Sequence, residues 1–177
     1  MRLLLVDNDD SFTRNLEHLL ACVTGTAPEI VSYARFRPER AAGVDCVVVS
    51  PGPGHPKEYP AYGPLLESGM PVLGVCLGMQ VMHQHFGGQV SRLPGCVHGA
   101  ASRIELWGRS VLVARYHSLY VSHVADGFDV LASCGGVPMA CAHRRLPLLG
   151  LQFHPESFLT QCGAEFLHDA LDRLLAR

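Results

Sequence analysis

Lysine is nearly missing from this chain: of its 14 basic residues, Lys57 alone is lysine. That bias reflects genome composition and points to no catalytic amine. An excess of either charge is missing too, since 14 basic residues face 16 acidic ones for a formal net charge of −2 and a sequence pI near 6.5. No basic face is therefore expected that could neutralise a nucleic-acid backbone or an anionic membrane. Small molecules or another protein are the expected partners. The seven cysteines are odd in number and include no pair of C-x-x-C motifs, which argues against a disulfide framework or a zinc site. The apolar run Leu3-Leu4-Leu5-Val6 ends at Asp7, too soon for a signal-peptide core or a membrane span. The expected location is the cytoplasm, with reduced thiols.

What is present suits one core. A chain of 177 residues, 48% hydrophobic and 17% charged, predicts a single domain over 1–177. Short apolar runs alternate with helical patterns. Strands are predicted at 2–6, 29–32, 46–49, 72–75 and 148–153. Helices are predicted after Ser11 (as N-cap), at 61–68, at 77–86 and at 164–175. This alternation predicts an α/β, doubly wound, mostly parallel sheet with helices on both faces. Between 89 and 143 the pattern shifts to short β pieces at 89–93, 103–106, 111–114, 128–131 and 138–142, which predicts a small antiparallel addition.

Three segments carry chemistry. Gly74-Val75-Cys76-Leu77-Gly78 has the form G-x-C-x-G, a thiol version of the strand-to-helix turn that exposes a nucleophile. Its glycines relieve the crowding of such a turn, and the helix N-terminus behind Cys76 favours negative charge on sulfur. Alone, the turn leaves Cys76 balanced between a nucleophile and a buried small apolar residue. The other six cysteines read as the latter.

Gln152-Phe153-His154-Pro155-Glu156-Ser157 follows a predicted core strand. In extended backbone, residues two apart point to one side, so His154 could face a thiolate while Glu156 holds its other ring nitrogen. Pairing with the elbow makes this a base and its orienter, in the chain order Cys, His, Glu. The remaining nine histidines, including His83 and His85, read as structural or exposed. Ser50-Pro51-Gly52-Pro53-Gly54 follows another strand and offers unobstructed backbone N–H groups for an oxyanion, with the Leu77 N–H as a second donor. No Gly-Lys-Ser/Thr follows it, so it is not a phosphate loop.

These pieces, in this order, resemble the class I (triad) glutamine amidotransferases, in particular the glutaminase subunits of anthranilate synthase and aminodeoxychorismate synthase. The likeness runs through Asp7-Asn8-Asp9-Asp10-Ser11-Phe12-Thr13, Ser50 to Gly54, Gly74 to Gln80, His98-Gly99, Arg115-Tyr116-His117-Ser118-Leu119 and Gln152 to Ser157. The resemblance implies a flavodoxin-like fold and release of ammonia from glutamine through a Cys76 thioester, with His154 and Glu156 completing the triad. It puts the oxyanion hole at the N–H groups of Gly52 and Leu77, and glutamine against Gly52, Pro53, Gly54, Gln80, Ser118 and Leu119. It implies no metal and no cofactor here, with Mg2+ only in the partner. That partner is a chorismate-binding synthase subunit, anthranilate being favoured over aminodeoxychorismate as the product. A catalytically silent regulatory subunit on the same fold is the contrasting possibility. Three features depart from the pattern: Met79 replaces the usual histidine, Ala100 replaces the lysine after His-Gly, and the stretch 106–113 is short.

Overall fold

The computed structural model describes residues 1–94 and 99–176. Cys96 and His98 lie outside the described residues. Among the described residues, eleven strands and four α-helices follow in chain order: β1 (Leu3–Asp7), α1 (Thr13–Thr24), β2 (Glu29–Ser32), β3 (Cys46–Val49), α2 (Gly63–Glu67), β4 (Val72–Val75), α3 (Leu77–His85), β5 (Gln89–Arg92), β6 (Ala100–Leu106), β7 (Arg109–Arg115), β8 (Leu119–His123), β9 (Phe128–Cys134), β10 (Val137–His143), β11 (Leu148–Leu151) and α4 (Gly163–Leu175).

The main sheet has seven strands in the order β2-β1-β3-β4-β11-β10-β9. Strands β2, β1, β3, β4 and β11 are parallel, while β10 and β9 extend the sheet antiparallel. The expected α/β architecture is thus observed, with β5–β8 and β6–β7 as two separate antiparallel ribbons. Every residue of β3, β4 and β11 is buried, as strands covered on both faces require. Alternate residues feed two cores. Leu3, Leu5, Cys46, Val48, Leu73 and Val75 pack with Leu16 and Leu20 of α1 and Phe166, Leu167 and Leu171 of α4. Leu4, Val6, Val47, Val49 and Val72 pack with Leu65 and Leu66 of α2 and Leu77, Val81 and Met82 of α3. Met79, one of the three departures, is fully buried in this second core and packs on Gly150.

Two expectations are corrected. Ser11 does not cap α1: the helix starts at Thr13, after Phe12, with no side-chain cap from the residue before it. The Asp10 carboxylate accepts from the Phe12 N–H at 2.8 Å instead, and its carbonyl from the Thr13 N–H at 3.1 Å. The Asx turn at Asp10 takes the Phe12 N–H, and the Asp10 carbonyl occupies the Thr13 N–H, a donor that a serine cap at Ser11 could have bonded. Strand β8 was hidden inside the R-Y-H-S-L-Y-V-S-H stretch, where only Val121 is buried among its residues. The short stretch 106–113 is a hairpin whose two turn residues, Trp107 and Gly108, both have positive φ (51° and 79°), as a tight two-residue turn demands.

His83 is fully buried on α3, where its Nδ1 accepts the Ala125 N–H at 3.2 Å and its ring packs on Phe128. Burial lowers its pKa from 6.5 to about 4. With the folded value below the unfolded one, the neutral ring's contribution is whole above pH 6.5 and is lost as pH falls through 4. Stability measured by urea denaturation is expected to decline over that window. His83→Gln, which keeps an acceptor for Ala125, is expected to flatten the decline.

Candidate active site

The C-terminal ends of β1, β3, β4 and β11 meet at one edge of the sheet, beside the point between β1 and β3 where the strand order reverses. Each end delivers one component. From β4 the chain enters α3 through Cys76, whose φ of 52° and ψ of −98° place a non-glycine residue in sparsely populated territory, at a cost of roughly 1–3 kcal/mol. The Cys76 N–H donates to the Leu151 carbonyl at 2.7 Å and its carbonyl accepts from the Gln80 N–H at 3.2 Å. A Cβ on Gly74 would lie 2.5 Å from the Gly78 carbonyl carbon, and one on Gly78 2.6 Å from the Val49 oxygen. Both contacts are with backbone that cannot move aside. The two glycines are therefore what lets the elbow close.

Strand β11 delivers His154. Its Nδ1 meets Glu156 Oε1 at 2.7 Å, and the two side chains are only 3% and 0% exposed. Because the carboxylate only accepts, Nδ1 carries the proton of this bond. Thr160 Oγ1 donates to the His154 carbonyl, and the His154 N–H donates to the Ala114 carbonyl at 3.2 Å, so the backbone here is held too. Phe12 and Tyr116 wall the imidazole, their ring centroids 5.3 and 5.2 Å from it. Among the described residues Nε2 makes no hydrogen bond of good geometry. Burial opposes the charged ring, but Cys76 and then Glu156, through hydrogen-bonding and charge, outweigh it and raise the pKa from 6.5 to about 10. The raised value keeps the imidazole cationic through neutral pH.

The 52–54 loop after β3 is tied down by Asn8, at the end of β1. The Asn8 N–H donates to Ser50 Oγ and its Nδ2 to the Ser50 carbonyl, both at 2.9 Å, while Oδ1 accepts from the buried Tyr62 hydroxyl at 2.6 Å. Tyr59 donates to the Pro53 carbonyl at 2.8 Å. A Cβ on Gly52 would come within 2.6 Å of both Asn8 Cβ and Leu77 Cδ2, so only glycine fits between them. Leu77, first residue of α3, has one of the N–H groups that a helix N-terminus leaves without an intrahelical partner.

Asp9, Asp10, Ser11, Gly52, Pro53, Gly54, Cys76, Leu77, Gln80, Tyr116, His117, Ser118 and Leu119 line one cleft. All the residues assigned from sequence to the oxyanion hole and to glutamine lie there, together with the nucleophile candidate. His154 and Glu156 do not line it and sit behind the sulfur. Gln80 Nε2 and His117 Nδ1 both donate to the Leu119 carbonyl, at 3.0 and 2.8 Å, while Arg115 Nε donates to His117 Nε2 at 3.1 Å. Arg115 and His117 are thus the supports of the 118–119 backbone. Sequence reasoning placed none of Asp9, Asp10, Ser11, Phe12, Tyr116 and His117 in the site, although all belong to segments it singled out. It also missed Gln152, whose Nε2 donates to Cys76 Sγ at 3.5 Å. Its place two residues before His154, in the same segment, was the available signal. Among the described residues no group of three or more His, Cys, Asp or Glu side chains could hold a metal ion.

The model of the family "Glutamine amidotransferase class-I" matches residues 4–174. The chain belongs to the class-I glutamine amidotransferases. It is 43% identical to an aminodeoxychorismate synthase of Streptomyces griseus over 97% of this chain, but spans only 26% of that protein. It is 40% identical to the pyocyanine-specific anthranilate synthase component 2 of Pseudomonas aeruginosa, covering 97% of this chain and 93% of that one. With anthranilate synthase component 2 of Thermococcus kodakarensis it shares 41% identity over 90% of this chain and 89% of that protein. A solved structure from Thermoplasma acidophilum, described as a putative GMP synthase subunit, superposes with a TM-score of 0.88, covering 99% of this chain and 94% of that one. At 21% identity that likeness speaks for the fold, which is the amidotransferase fold expected from the sequence.

Two outcomes follow from this geometry. The folded-state pKa of His154 lies above its ordinary value, so the charged ring's contribution to stability is whole below pH 6.5 and is lost as pH rises toward about 10. Stability followed over that range is expected to fall, and to fall less in Glu156→Gln, which lacks one of the groups that raise the pKa. Asn8→Ala removes two buried side-chain hydrogen bonds and leaves the Tyr62 hydroxyl unpaired. A loss of about 2–4 kcal/mol in urea denaturation is expected.

Proposed function

We propose that this class-I amidotransferase chain hydrolyses glutamine to glutamate and ammonia through a Cys76 thioester, and supplies the ammonia to a chorismate-binding synthase subunit. The observation that carries the reading is the nucleophile elbow at the cleft floor with the buried His154–Glu156 pair directly behind it.

The Cys76 thiolate attacks the side-chain amide carbon of glutamine, and the N–H groups of Gly52 and Leu77 take the negative charge that develops on oxygen. His154 gives its Nε2 proton to the leaving nitrogen, the C–N bond breaks, and ammonia departs from a γ-glutamyl thioester. Neutral His154 then takes a proton from water as the water oxygen attacks the thioester. The C–S bond breaks, glutamate is released, and the thiolate–imidazolium pair is restored. Glu156 fixes the ring so that Nε2, not Nδ1, exchanges the proton. Gln80, Ser118 and Leu119, with the 52–54 loop, hold the amino-acid end of the substrate. This chain needs no cofactor for these steps, and Mg2+ is assigned to the partner.

Both anthranilate synthase and aminodeoxychorismate synthase occur among the named relatives. The separate component 2 proteins matched over nine-tenths of their length carry the anthranilate name, which supports anthranilate as the product and aminodeoxychorismate as the alternative. The proposed location is the cytoplasm, and no helix among the described residues is long and apolar enough to cross a membrane.

Cys76→Ala is expected to abolish glutamine-dependent product formation in the complex with the synthase while leaving ammonia-dependent synthesis intact. A glutamine-analogue electrophile is expected to label Cys76 stoichiometrically. Retained glutamine-dependent activity in Cys76→Ala would overturn the assignment. Chromatographic identification of the product from chorismate separates anthranilate from aminodeoxychorismate.

A further inference from the structure

We propose that Gln152 is a positioning residue that ties the nucleophile to the substrate cleft, its amide joining Cys76 Sγ on one side to Gln80 on the other. The inference rests on the reading of Cys76 as the glutaminase nucleophile. Gln152 is fully buried, and its backbone N–H donates to the Met139 carbonyl at 2.9 Å, which anchors it at the end of β11.

The orientation of both amides follows from their neighbours. The Leu119 carbonyl can only accept, so the end of Gln80 that faces it at 3.0 Å is the NH2 group. That same NH2 group also meets the Gln152 amide at 3.1 Å, so the Gln152 atom there is the oxygen. Its NH2 group is then turned to Cys76 Sγ, 3.5 Å away. The reverse orientation would set NH2 against NH2 at one end and oxygen against sulfur at the other. The chain of donors therefore runs one way, from Gln80 through Gln152 to sulfur, and each bond polarises the next.

Two consequences distinguish this from a buried amide that is merely satisfied. Sulfur has an N–H donor besides the imidazolium, which fixes its position and favours its anionic form. Gln80 has both amide hydrogens committed, to Leu119 and Gln152, so its oxygen is the atom left for the substrate's ammonium group.

The test uses the full chain with iodoacetamide as the probe, reading Cys76 alkylation by mass spectrometry of its peptide across a pH series, and kcat and KM for glutamine in the complex with the synthase. Gln152→Leu removes the donor. The alkylation profile is expected to move to higher pH by about one unit, and KM for glutamine to rise about tenfold as Gln80 loses its orientation. Gln152→Glu, nearly isosteric with glutamine, replaces the donor with an acceptor and is expected to move the profile further the same way; it serves alone if Gln152→Leu does not fold. An alkylation profile that overlays wild type in a folded variant overturns the proposal, whatever happens to activity, because a packing role leaves the thiol's titration untouched. A wild-type chain inert toward glutamine with its partner present would instead refute the glutaminase reading.

Discussion

The close approach of α3 to the sheet at Gly74 and Gly78 is the constraint on which the remaining geometry depends. Backbone meets backbone there, with the Val49 oxygen on one side and the Gly78 carbonyl on the other, so neither surface can yield by changing rotamer. The chain leaves β4 and turns into a helix within one residue, and Cys76 takes up the unfavourable φ that this requires. Its backbone bonds to Leu151 and Gln80 keep it there. Strain held in this way is useful because sulfur is presented at the cleft without a loop that could carry it elsewhere.

Around the elbow, the site is assembled from strand ends that approach from separate parts of the chain. Asn8 reaches Ser50, just before the 52–54 loop, across 42 residues and Gln152 reaches Cys76 across 76. The His154–Glu156 pair shows how burial and charge trade against each other. An imidazolium buried between Phe12 and Tyr116 is costly, and it persists because Cys76 and the Glu156 carboxylate outweigh the burial. His83, equally buried but with no such partners, goes the other way and stays neutral.

The parts legible in the sequence were those with a local signature. Continuous apolar runs marked β3, β4 and β11, flanking glycines marked the elbow, and the spacing of His154 and Glu156 marked the pair, although Pro155 and Glu156 lie in a turn rather than in the extended backbone expected. What was not legible depends on distant partners. Ser11 looked like a helix cap because serine often is one, but the Asp10 carboxylate takes the Phe12 N–H and the Asp10 carbonyl takes the Thr13 N–H. Strand β8 buries only Val121 fully, with Tyr120 half-buried against the other core, too little alternation to register, and it forms because β5 lies beside it. Gln152 reads as an ordinary polar residue until Gln80 and Cys76 are brought against it.

The burial of His154 bears on the order of events during turnover. Among the described residues the imidazole is flanked by Phe12 and Tyr116, holds Glu156 through Nδ1 and is not among the side chains lining the cleft, so in the proposed mechanism its Nε2 serves the reacting centre beside sulfur. In the proposed mechanism a water activated by Nε2 stands where the amide nitrogen stood. On that mechanism ammonia and water share a single position, and the thioester is cleared only after the nitrogen has left. The departure of one small molecule becomes the clock for the arrival of the next.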